Sequence, residues 1–109
     1  ETAAIGFAFG MDGHDFEFGG ELWQYEGAGG WHFVTIPDEL VEEVRELSEG
    51  SRKPFGSSPV EATIGSSIWT TSIFADRKRD SFLLPVKAGV RDAENLLAGD
   101  QVQVKLTLA

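Results

Sequence analysis

The chain has 109 residues and a mass of 11.9 kDa, which is the length of a single domain. At 41% hydrophobic and 25% charged residues it has the composition of a globular chain rather than a disordered one. It has no cysteine, so disulfides, thiolate zinc sites and cysteine nucleophiles are excluded. No apolar run approaches the ~20 residues of a membrane-spanning helix, and no signal peptide is visible. A cytoplasmic domain is the expectation.

The net charge of −9 is unevenly spread. Residues 1–50 hold twelve acids and one base, Arg45, whereas residues 51–109 hold six acids and eight bases. An acidic surface repels phosphate backbones, which disfavours nucleic acid as a partner. The local exception is Arg77-Lys78-Arg79, which reads as a solvated hairpin tip, with a phosphate-contacting arm as the alternative.

Residues 1–14 carry three glycines and no clean period, and are expected to be irregular, with Glu1-Thr2-Ala3-Ala4 a frayed or appended end. The domain is expected to span 15–109. Phe16, Phe18 and Leu22 alternate with Glu17, Gly19 and Glu21, which predicts a half-buried strand from Asp15 to about Tyr25. A turn follows through Gly27-Ala28-Gly29-Gly30, and Trp31 to Ile36 form an aromatic, β-branched strand. Pro37 ends that strand and suits a helix start, where its missing N–H costs nothing. Asp38 and Glu39 then place negative charge at the positive end of the helix dipole. Leu40, Val41, Val44 and Leu47 make one apolar stripe, and Gly50 is a plausible stop. Residues 50–59 read as a loop in which Phe55 is the one large apolar side chain.

Val60, Ala62 and Ile64 alternate as a third strand. Gly65-Ser66-Ser67 is a turn, and Ile68 to Ala75 a fourth strand. Asp76 to Asp80 is a charged hairpin tip, and Ser81 to Leu84 a fifth strand stopped by Pro85. Residues 86–98 predict a short helix with Val90, Ala93, Leu96 and Leu97 inward. After Gly99-Asp100, Val102, Val104, Leu106 and Leu108 alternate with polar neighbours in the clearest period-two pattern of the chain.

Two segments repeat one plan: strand, proline, short helix, turn, strand. One runs through Pro37 to the strand from Val60, and the other through Pro85 to the strand from Val102, at a period of about 48 residues. Two copies suit a pseudo-twofold barrel whose closure removes exposed strand edges. The expected fold is an all-β small barrel, closed or partly open, of about six to seven strands with two short helices.

The run from Trp31 to Leu108 carries Val34-Thr35-Ile36-Pro37, Pro54-Phe55-Gly56, Val60-Glu61-Ala62-Thr63-Ile64-Gly65, Trp69-Thr70-Thr71-Ser72, Leu84-Pro85-Val86-Lys87, Val90-Arg91 and Gly99-Asp100-Gln101-Val102. This combination resembles the bacterial family called domain of unknown function 1905, over about residues 16–108. The resemblance implies a small β-barrel and no established activity. The second half also looks like the strand–proline–helix–Gly-Asp–strand unit of swapped-hairpin regulators and antitoxins, which are DNA-binding homodimers. Here one chain carries both halves, and its acidity departs from those regulators.

Candidate chemistry is sparse. His14, within Asp12-Gly13-His14-Asp15, reads as turn chemistry rather than a metal site, and no metal or cofactor is expected. His32 reads as an interior or interface histidine in preference to a general base, which would need a partner within hydrogen-bond reach. Ser66, Ser67 and Ser72 lack a nucleophile elbow, and the glycine-rich turn matches no phosphate loop. The best cluster is Trp69, Thr71, Lys87 and Arg91. Trp69 and Thr71 share a strand face, and Lys87 and Arg91 are one helical turn apart, so they could hold a carboxylate or phosphate. The competing reading pairs both cations with the acidic first half and buries Trp69 in the core. The leading expectation is a non-catalytic binding or scaffold domain, a monomer or weak dimer, with a small anionic ligand as candidate partner. The alternatives are a small enzyme using an apolar barrel pocket and a DNA-binding regulator-like barrel.

Overall fold

The computed structural model describes residues 9–11, 15–53 and 56–108. Seven strands are formed: β1 (Phe9–Met11), β2 (Asp15–Gln24), β3 (His32–Thr35), β4 (Ser57–Ile64), β5 (Ser67–Asp76), β6 (Ser81–Pro85) and β7 (Gln101–Leu108). The helices are α1 (Asp38–Ser48), continued by one 3-10 turn over Glu49–Ser51, and α2 (Ala88–Glu94). The sheet order is β1-β2-β3-β6-β5-β4-β7, and β7 pairs back onto β2, so six antiparallel strands close a barrel. β2 makes the closure possible because it is long. One edge takes β1 at Asp15–Glu17 and β3 at Leu22–Gln24, and the other takes β7 along Asp15–Glu21. β1 lies within the segment expected to be irregular, where three residues without alternation carry no readable period; the rest of 1–14, including His14, falls outside the described residues.

Strand alternation fills the interior. Phe16, Phe18 and Leu22 of β2, Val34 of β3, Ile73 of β5, Phe82 and Leu84 of β6, and Val104 and Leu106 of β7 are essentially inaccessible to solvent. At roughly 1.5–3 kcal/mol per large apolar side chain, these layers are the main source of stability. The barrel is therefore packed with side chains, and the apolar interior pocket expected of the enzyme alternative is occupied by core. Gly20 falls at an inward position of β2. A Cβ there would lie 2.8 Å from Val34 Cγ1, so the missing side chain lets β3 close over β2.

The two halves are related by a pseudo-twofold whose offset is 50 residues, not the 48 expected from the prolines. Ile36 N–H donates to the Phe82 carbonyl and Val86 N–H to the His32 carbonyl, both at 2.9 Å. Residues 32 and 36 thus map onto 82 and 86, and the helix N-caps Pro37 and Lys87 map onto each other. Pro85 is the last residue of β6, opposite Phe33, and lies past Leu83, where pairing with β5 ends. It can remain in the strand because no ladder bond to β5 is required of it there.

The helices cap the barrel through Leu40, Val41 and Val44 of α1 and Val90 of α2. α1 does not stop at Gly50, which lies inside the 3-10 turn. α2 is shorter than expected because Asn95 takes a left-handed conformation (φ 56°) and ends it. As a result Leu96 packs on the core, but Ala93 is exposed and Leu97 is 74% exposed, contrary to their expected inward placement. No described helix is long and apolar enough to cross a membrane.

Candidate functional site

The four candidate residues come from two elements that meet at one mouth of the barrel. Trp69 and Thr71 lie on the inward face of β5, in step with buried Ile73. Lys87 caps α2 and Arg91 sits one turn further on. All four line one groove of about 470 Å³, together with His32, Trp31, Phe74 and the Gly29-Gly30 turn. Trp69 belongs to the core yet also lines this groove, so half of the competing reading also holds.

The cations depart from that reading. Arg91 Nε donates to the Val86 carbonyl at 3.1 Å, which anchors the guanidinium at the groove wall and leaves its two terminal nitrogens for other acceptors. Among the described residues no carboxylate lies within ion-pair distance of Lys87 or Arg91. Of the acids in the first half, Glu42 pairs within its own helix with Arg45 at 2.6 Å, and Arg45 also reaches Asp80 of the second half at 2.7 Å.

His32 shares the inward parity of Val34, but it opens β3 beyond the last packed layer and is half-buried at the mouth. Its Nδ1–H donates to the Gly30 carbonyl at 2.7 Å. That bond fixes the ring and, in the neutral form, makes Nε2 the acceptor. The turn that supplies the carbonyl requires positive φ at Gly29 (96°) and Gly30 (65°), conformations open to glycine. Of the serines, Ser66 is a turn residue, Ser67 Oγ donates to Glu94 at 2.7 Å, and Ser72 is half-buried on β5.

A second groove, of about 580 Å³, adjoins the first through the shared walls Trp31 and Phe74. It crosses the outer face of β2, β3, β6 and β5. Trp23 and Phe33 pair across strands with ring centres 5.3 Å apart, and Trp31 stacks on Phe33 at 6.0 Å and 7°. Trp23 Nε1–H donates to Thr35 Oγ1 at 2.9 Å, fixing the indole. The Arg77-Lys78-Arg79 tip forms its far rim. Arg79 folds back over the Trp23 ring at 5.3 Å while pairing with Asp76 at 2.7 Å. None of Trp23, Phe33 and Phe74 is among the expected site residues. The signal was present in parity: Trp23 and Phe33 immediately follow or precede inward Leu22 and Val34, and Phe74 follows inward Ile73, so all three must point outward.

A closed six-stranded antiparallel barrel, duplicated about a pseudo-twofold and filled with side chains, places the chain among small all-β barrel proteins. The family model described as Domain of unknown function (DUF1905) matches residues 18–106, and the chain belongs to that family. No curated protein matches it.

Proposed function

We propose that the chain is a binding module whose groove at the β3–β5–α2 mouth holds a small anionic ligand. The observation that carries this reading is a pair of cations, Lys87 and Arg91, without carboxylate partners among the described residues, set on a groove that Trp69, Thr71 and His32 also line. In a molecule of net charge −9, cations left unneutralised by so many acids represent a local field suited to an anion. Arg91 supplies planar, two-pronged donors, Lys87 a point charge, and Thr71 a hydroxyl. Trp69 and Trp31 offer apolar surface to whatever carries the anion. The packed interior favours binding on the outside of the barrel over chemistry within it. Closure within one chain supports a monomer.

Titration with phenyl phosphate and with inorganic phosphate, followed by thermal shift, tests the reading. Phenyl phosphate is expected to raise Tm in a saturable manner. The double variant Lys87→Gln/Arg91→Gln is expected to lose that shift while its ligand-free Tm stays close to that of the parent. Absence of a shift with either anion, or an equal shift in the double variant, overturns it.

A further inference from the structure

The whole chain's charge disfavours a polyanion, but its distribution on the fold does not. The two adjoining grooves are lined by five of the nine basic residues, Arg77, Lys78, Arg79, Lys87 and Arg91. Of the eighteen acids, only Asp76 lines them among the described residues, and it is already paired with Arg79. The same surface gathers all three tryptophans and the single tyrosine. Cations stand at both ends, the hairpin tip at one and Lys87 with Arg91 at the other. Between them rise Trp31 and Phe74, which wall both grooves, at 53% and 37% exposure, and Tyr25, at 51%, lines the groove on the hairpin side. Large aromatic rings left this open on a surface rimmed by charge mark an interaction site.

We infer that this track binds single-stranded nucleic acid, phosphates meeting the two cationic ends and bases stacking on the exposed rings between them. The inference rests on the anion-binding reading of the Lys87–Arg91 groove and extends it across the Trp31–Phe74 ridge. Alternation of backbone charge and planar rings is the chemistry of a single strand. A cationic track with stacking platforms is how such strands are held without sequence readout. A duplex hides its ring faces, so it would use the cations and leave Trp31 and Tyr25 idle. An acidic peptide without aromatic side chains would likewise use the charges and leave the rings idle. Arg79 lies over one face of Trp23 and is paired with Asp76, so at the hairpin tip Arg77 and Lys78 are the cations that would meet phosphate.

The test uses the full chain and a fluorescein-labelled oligothymidylate of about ten nucleotides, within the range of strand lengths that a single OB-fold, a barrel of comparable size, can hold. Anisotropy is expected to report binding that weakens as salt rises, with a log–log slope of about −2 to −3 for three to four phosphate contacts. Trp31→Ala and Tyr25→Ala are each expected to weaken it about tenfold, and Lys87→Gln/Arg91→Gln at least as much. Because both rings are half exposed, circular-dichroism melts should place these variants near the parent Tm, which separates lost binding from lost fold. If phenyl phosphate binds and the oligonucleotide does not, the inference fails and the anion-binding reading stands. If neither binds, both fail. Equal affinity for the duplex form or for poly-glutamate, or binding indifferent to Trp31→Ala and Tyr25→Ala, also overturns it.

Discussion

Val34 and Leu84 face each other across the β3–β6 ladder, at the point where the pseudo-twofold relating the two halves passes through the sheet. Both are fully buried, and the flanking bonds Ile36 to Phe82 and Val86 to His32 are images of each other. The centre of the barrel is thus also its seam. Leu84→Ala is expected to cost about 2–5 kcal/mol, through lost transfer energy and the cavity left in a layer too constrained to collapse. Leu97→Ala, a change at a 74% exposed position, is expected to fall within about 0.5 kcal/mol of the parent. Urea denaturation of both variants measures the contrast, and similar values for the two would contradict the packed interior described above.

Closure over β2 depends on one absent side chain. Gly20→Ala places a methyl 2.8 Å from Val34 Cγ1, closer than van der Waals contact permits. A loss of about 1–3 kcal/mol is expected from overpacking. Combining it with Val34→Ala should recover part of that loss, because the second change removes the atom that clashes. A double-mutant cycle reads the coupling directly; strict additivity would show that the two positions do not meet.

Asn95 ends α2 at φ 56°, a conformation that an ordinary L residue adopts only at a cost. Asn95→Ala is expected to destabilise by roughly 1 kcal/mol, and Asn95→Gly to be neutral or slightly stabilising. Thermal melts of the two variants should therefore move in opposite directions or differ clearly in size. Equal shifts would place the end of α2 under the control of tertiary contacts instead.

Arg45 links α1 to the β5–β6 hairpin through Asp80, with Glu42 sharing the guanidinium. The Asp80 side chain is 85% exposed, so the pair is largely solvated and its coupling is expected to be about 0.2–1 kcal/mol. An Arg45→Ala/Asp80→Ala cycle at low salt should show it, and the same cycle in about 1 M salt should show little, since screening there acts within ~3 Å. A coupling that persists at high salt would mean that the pair is better shielded than its exposure implies.

What the chain alone determined was local. Period-two alternation located β2, β4 and β7 because a half-buried strand writes its two faces into consecutive residues, and a run of aromatic and β-branched residues located β5. The Leu40–Val41–Val44 stripe marked α1 for the same reason at a helical period. Residue type and spacing also singled out Trp69, Thr71, Lys87 and Arg91 before their shared groove was known. Tertiary structure decided what depends on distant partners. The return of β7 to β2 joins residues as far apart as Asp15 and Thr107, and the symmetry offset of 50 is set by ladder bonds between β3 and β6, not by the prolines that suggested 48. The aromatic face is another such case. Trp23, Phe33 and Phe74 each read alone as an outward side chain on its own strand, and only the sheet order β2-β3-β6-β5 makes them neighbours on one surface beneath a basic hairpin.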